Sequence, residues 1–272
     1  MIDIHTHILP GVDDGVPDLG EALHLAEDAA AQGVTTMVAT PHLYWGDRPA
    51  LGAAQIREGV EQLNVLLRAK GVPLEVLPGC EIPIAPDLLR RLESDEWMSL
   101  GEGTRVVLVE PLWEAWPPFG QSVIEEMLDA GWTVVLAHPE RIPALQRNLP
   151  LLEGLVQMGA HLQLTTSSLI PGRASPAAAR CAYELMERRL VSVVASDCHG
   201  LNHRRCDMGE AAELLRRTHG RHVAQMLTTG VPRALLRGAK VELEQVWKNT
   251  TTDESRWKRI LRAVLRRQTD DG

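Results

Sequence analysis

Residues 1–15 read MIDIHTHILPGVDDG. A short β-branched, apolar run, Ile2–His5, closes on His5-Thr6-His7 and passes into a turn carrying Asp13-Asp14-Gly15. On an extended chain residues two apart point to one side, so the spacing puts His5 and His7 on a common face. Working outward, six further runs of the same kind follow: Thr35–Thr40, Leu74–Gly79, Arg105–Glu110, Thr133–Ala137, His161–Thr165 and Val191–Ser196. Amphipathic stretches separate them: Leu19–Gln32, Ala50–Lys70, Gln121–Ala130, Leu149–Met158, Pro176–Arg188 and Asp207–Thr218. Asp18, with Glu21 three residues on, predicts a helix start, and Gly33 a helix stop. Seven β–α alternations without a long polar linker predict an α/β domain whose parallel strands form one barrel or one doubly wound sheet.

Composition limits the function classes. The chain has 272 residues, 44% of them hydrophobic, which suits one sizeable domain and excludes disorder. The longest uncharged stretch, Gly154 to Gly172, is broken by Gln, His, Thr and Ser, so no membrane-spanning helix is expected. The N-terminal residues carry neither a basic region nor an apolar signal core, and the cytoplasm is the expected compartment. Four scattered cysteines, Cys80, Cys181, Cys198 and Cys206, form no CxxC pair and predict free thiols. A net charge of −8 argues against a nucleic-acid partner. Residues 256–267 are the exception, with six Arg or Lys and no acid. Trp257, Ile260, Leu261, Val264 and Leu265 there share one helical face, so the segment predicts a basic amphipathic helix suited to an anionic membrane, to a partner, or to the acidic body of the protein itself. The expected domains are therefore 1–247, a barrel, and 248–272, a polar joint with that helix.

Barrels of this class place their sites at the carboxyl ends of the strands. Here those ends carry His5 and His7; His42 after Thr40-Pro41; Cys80-Glu81; Glu110; His138-Pro139-Glu140-Arg141; and Asp197-Cys198-His199. With Asp14 from the first turn, five imidazoles and four carboxylates gather at one end of the fold. Neutral imidazoles leave that set at −4, which two divalent ions would neutralise. Nitrogen and oxygen donors without thiolate suit Mn, Fe or Zn. Closely spaced ions of this kind supply what phosphate-ester hydrolysis needs.

The motifs MIDIHTHILPGVDDG, VATPH, GCEI, VLVE, AHPER and ASDCHG, in this order, resemble the polymerase-and-histidinol-phosphatase (PHP) superfamily. Within it they are most similar to the bacterial protein-tyrosine phosphatases that act with tyrosine kinases of capsule and exopolysaccharide synthesis. The likeness covers roughly residues 1–240. It implies a distorted seven-stranded βα barrel and hydrolysis of protein phosphotyrosine by a metal-bridging hydroxide, with two or three ions, usually manganese. It further implies one ion held by His5, His7, Glu81 and Asp197, a second by Glu81, Glu110 and His138, and a third by Asp14, His42 and His199. Arg141 and Arg204 are implied as phosphate-binding catalytic residues, with Arg205 an adjacent alternative to Arg204 and a surface pair with Glu140 an alternative role for Arg141. Tyr44, Trp45, Trp113 and Trp116 lie where loops would overhang such a site, either against a tyrosyl ring or as ordinary packing.

Rival readings make distinct demands. Cys198 and Arg204 satisfy the C-x5-R spacing of cysteine-dependent phosphatases, but alternation turns Cys198 away from its neighbours' shared face and Asp197 opposes a thiolate. Amidohydrolases that bridge two metals with a carbamylated lysine need one at a strand end, and none of Lys70, Lys240, Lys248 and Lys258 lies there. Histidinol phosphate is the rival substrate with the same metals. A metal-binding scaffold without catalysis is the non-enzymatic reading.

Overall fold

A computed structural model describes residues 1–44, 50–94, 97–113, 115–202 and 204–248. Trp45 and the basic segment 256–267 lie outside the described residues.

Among the described residues, eight parallel strands form two sheets. In one, β1 (Ile2–Thr6), β2 (Thr36–Ala39) and β3 (Glu75–Pro78) lie in that order; in the other, β4 (Glu81–Pro83), β5 (Val106–Glu110), β6 (Thr133–Ala137), β7 (His161–Thr165) and β8 (Val191–Ala195) do. The sheets meet at both margins. At one, Thr6 bridges to Cys198, with Asp197 N–H donating to His5 carbonyl (2.9 Å) and His7 N–H to Cys198 carbonyl (2.9 Å). At the other, His42 bridges to Glu81, whose N–H donates to Pro41 carbonyl (3.2 Å).

Seven of these strands coincide with the seven runs read from the sequence, and β4 is an additional short segment after the third. The run Leu74–Gly79 pairs with β2 only as far as Pro78, and the chain then pairs with β5 from Glu81 onward. The break falls at Gly79, where a Cβ would lie 2.8 Å from Val38 Cγ1, and at the fully buried Cys80, whose thiol donates to Met98 carbonyl (2.9 Å). Only a residue without a side chain passes that crowded bend.

Every residue of β1, β7 and β8 is buried, as expected of parallel strands covered on both faces. Long helices flank the sheets at Leu19–Ala31, Ala53–Lys70, Gly120–Asp129, Leu149–Met158, Pro176–Glu187 and Met208–Gln225. The first begins as the sequence predicts, with Asp18 accepting from Glu21 N–H (3.0 Å). The last is interrupted just past the expected Thr218, at Gly220, whose φ of 90° is not helical, and helical backbone resumes beyond it. Val246 and Trp247 close the body, the Trp247 indole donating to Val191 carbonyl (3.1 Å). All four cysteines are free and buried. No described helix is long and apolar enough to cross a membrane.

Candidate metal centre

One end of the two sheets brings together all nine predicted donors. Glu81, first residue of β4, is the hub. Its Oε2 lies 3.3 Å from His5 Nε2, 3.4 Å from His7 Nε2 and 3.3 Å from His42 Nδ1, and its Oε1 lies 2.9 Å from His138 Nε2. Asp197 Oδ1 stands 3.4 Å from His5 Nε2 and 3.6 Å from His7 Nε2. Asp14 Oδ1 is 3.3 Å from His199 Nε2 and 3.6 Å from His42 Nε2. Glu110 Oε2 is 3.6 Å from His42 Nδ1.

Among the described residues, donor atoms mutually within 4.8 Å fall into four overlapping sets: His7, Asp14, His42 and His199; His5, His7 and Glu81; His5, His138 and Asp197; and His42, Glu81 and Glu110. These sets cut across the three groups implied by the resemblance. His138 gathers with His5 and Asp197 as well as with Glu81, and His7 also reaches the Asp14 group.

Local backbone explains why these residues project here. His138, Asp197 and Arg204 adopt positive φ of 31°, 53° and 53°, a conformation that costs a non-glycine residue about 1–3 kcal/mol. At Gly15 a Cβ would fall 2.2 Å from His7 carbonyl oxygen, so only glycine lets the Asp13-Asp14 turn fold back over β1.

Charge sets the protonation states. Burial would lower the His7 imidazole, but hydrogen bonds to Asp13 and Glu81 hold it well above its ordinary value. Burial alone would raise Glu81, yet His5, His138 and His7 pull it well below the carboxylate range. Asp197, equally buried, is drawn down by His5, Arg204, His138 and Arg141. Burial and the adjacent Glu81 push Glu110 up to about 8. Burial lowers His138 and His42, and takes His199 to about 4, keeping these rings neutral donors at neutral pH. Against burial, His199 holds Asp14 down at about 2. The raised His7 imidazole and the Arg141 and Arg204 guanidinium groups offset charge on the carboxylates gathered here.

Two supporting residues escaped the sequence reading. Asp13 Oδ2 is 2.7 Å from His7 Nδ1 and accepts His42 N–H (3.0 Å), fixing two imidazoles at once. Gln163, inside β7, sets Oε1 2.9 Å from His5 Nδ1 and accepts His138 N–H (3.3 Å). Asp13 stood beside a chosen donor in the same acidic pair. Gln163 is a polar residue in an otherwise apolar strand interior, and that was its signal.

A cavity of about 210 Å³ opens over the cluster, lined by Asp14, His42, Glu81, Glu110 and His138 together with Tyr44, Trp113, Arg141 and Arg204. Arg141 and Arg204 both donate to Asp197 Oδ2. Arg205 instead pairs with Asp207 (3.2 Å), and Glu140 is fully buried against Thr165 N–H (2.9 Å) rather than paired with Arg141. The Trp113 ring stacks on His138 at 6.2 Å, and the Arg141 guanidinium lies 5.0 Å from the Trp113 ring centroid. Trp116 packs into the body beside Gly120. Cys198 is fully buried and lines no part of this cavity.

Residues 1–237 match the family model described as capsular polysaccharide synthesis, CpsB/CapC. The chain belongs to the CpsB/CapC family. Among its relatives, the tyrosine-protein phosphatase YwqE of Bacillus subtilis is 36% identical over 84% of this chain and 89% of its own. The tyrosine-protein phosphatase CpsB of Streptococcus pneumoniae is 31% identical over 87% of this chain and 98% of its own. A crystal structure from work on YwqE and CpsB, described there as metal-dependent tyrosine phosphatases, superposes with a TM-score of 0.84 at 35% identity, covering 89% of this chain and 96% of that one. This CpsB/CapC fold therefore carries, at its strand ends, a donor set suited to metal ions.

Proposed function

We propose that this protein is a metal-dependent phosphatase that hydrolyses phosphotyrosine on proteins, its partner being a bacterial tyrosine kinase of capsule or exopolysaccharide synthesis. The observation that carries the reading is Glu81 within 3.4 Å of three imidazoles and 2.9 Å of a fourth, beneath a cavity rimmed by two arginines and two aromatics. Named relatives with the same activity, aligned over most of both chains, support it.

The residues fit divalent ions. Their donors are imidazole nitrogen and carboxylate oxygen, and two of them, Asp197 Oδ1 and His138 Nδ1, are buried without a hydrogen-bond partner. We assign His5, His7, Asp14, His42, Glu81, Glu110, His138, Asp197 and His199 to two or three ions, with Glu81 shared and manganese the favoured metal. Such ions supply water activation at neutral pH and offset the charge of the phosphoryl group.

The chain's own groups do the rest. Arg141 and Arg204 present guanidinium forks at the cavity rim, where each can grip two phosphate oxygens and spread their charge. Trp113 and Tyr44, both about half exposed, flank the entrance and offer faces to the tyrosyl ring. Tyrosine ionises near pH 10, so phenolate departs without a strong general acid. Asp13 and Gln163 hold His7, His42, His5 and His138 in place.

We read the two sheets as halves of one distorted barrel, with β3 and β4 a single interrupted strand. We take residues 1–247 as the catalytic unit and 248–272 as a separate appendage. Hydrolysis of a phosphotyrosine peptide against histidinol phosphate, with Mn supplied, tests the substrate. Preference for the peptide is expected; turnover of histidinol phosphate alone would overturn the assignment.

A further inference from the structure

A second cavity, of about 310 Å³, adjoins the first and shares Trp113, Arg141 and Arg204 with it. Its far side is formed by Arg173, Ala174, Ala178 and serine hydroxyls, including that of the buried Ser168. The two chambers differ sharply in charge. Asp14, Glu81 and Glu110 line the first, whereas no described residue lining the second carries a carboxylate and three carry guanidinium groups. Arg173 is held in place by Asp207 and by Glu210 (2.6 Å), neither of which lines the cavity.

We infer that this second chamber receives an acidic side chain close to the phosphotyrosine in the substrate's sequence, and so selects peptides by their flanking charge. The inference rests on the phosphatase reading above and adds to it. The shared wall sets the reach. An extended peptide turns residues i and i+2 to one face about 7 Å apart, so a phosphotyrosine seated over the metal cluster carries a neighbour within two residues past Trp113. Arg141, Arg173 and Arg204 line the chamber while the acids that pair with them, Asp197, Asp207 and Glu210, do not, so a ligand there meets guanidinium groups first, and a planar guanidinium matches a carboxylate. A basic flanking residue would meet like charge. Ala174 and Ala178 contribute small side chains to the lining.

The test compares kcat/KM for phosphotyrosine peptides carrying Glu or Ala at each position from −2 to +2, with free phosphotyrosine as the reference. The ratio of the Glu to the Ala peptide is read for wild type, Arg173→Gln and Ala174→Glu, each metal-loaded. Because each ratio is taken within one protein, a general loss of folded enzyme cancels. A wild-type ratio of about tenfold at one position or more is expected, the worth of one well-placed ion pair. It should fall towards one in Arg173→Gln and below one in Ala174→Glu. A wild-type ratio of one at every position, or a preference unaltered by both substitutions, would overturn the inference. Failure to hydrolyse free phosphotyrosine and every peptide would instead remove the phosphatase reading, and this inference with it.

Discussion

Asp13 shows how much of the site depends on single atoms that never need to touch a substrate. One carboxylate oxygen orients His7 and pins the backbone of His42, while the other accepts Gly15 N–H (2.9 Å). Supporting groups of this sort commonly govern metal affinity by about 10–100-fold. Asp13→Ala is expected to weaken metal binding and turnover by that factor while leaving the circular dichroism spectrum intact, which metal titration followed by activity would measure. Arg141 acts differently. It lies at the rim with its charge set against Asp197, and substitution by Ala should lower kcat on a phosphotyrosine peptide by about 100-fold or more, as for other donors that meet transition-state charge. Near-wild-type turnover would remove it from the mechanism. At this scale the sequence was legible where chemistry and position coincide: a histidine or carboxylate at the end of an apolar run announces itself. Asp13 and Gln163 were harder to read because their role depends on which neighbour's ring nitrogen they meet, a fact of three-dimensional closure.

Strands and their ends are the next scale. Seven apolar runs foretold seven strands, since buried parallel strands are nearly continuous in Val, Ile and Leu. β4 was hidden because it is three residues long and follows a bend whose cause, crowding against Val38, lies in another strand. The Cys198 thiol, set aside on alternation and on the neighbouring Asp197 charge, is fully buried, whereas Arg204 lines the cavity. β7 carries a pH signature remote from the metal cluster. His161, at its start, is buried beside Ser192 Oγ (3.0 Å), and burial lowers its pKa to about 4. In the unfolded chain the same ring ionises near pH 6.5. Between those values the unfolded state binds the extra proton, so stability is full above about pH 6.5 and falls as pH drops towards 4, by about 3 kcal/mol from this residue. His161→Gln should flatten that limb of the curve, seen as a smaller loss of denaturation midpoint between pH 7 and pH 4.5 than in wild type.

Across the whole molecule, four carboxylates converge with five imidazoles at one site, while residues 256–267 near the C-terminal end of the sequence carry six basic residues and no acid. The body reaches Trp247, whose indole is fastened to β8, so truncation after that residue should leave kcat/KM on a phosphotyrosine peptide within about twofold of the full chain. A loss beyond tenfold would assign the segment 248–272 to catalysis. The fold class was readable from the alternation of runs, and the convergence of nine donors from their shared position at strand ends. How those donors divide among ions was not, because Glu81, His5 and His7 each face more than one group. The central claim is that this shared cluster holds the ions on which hydrolysis depends. Metal content and phosphotyrosine-peptide turnover, measured on the same purified sample before chelation, after it and after Mn is restored, test that claim most directly. The account predicts about two or three ions per chain, turnover abolished with their removal and recovered on their return; full turnover by the metal-free protein would contradict it.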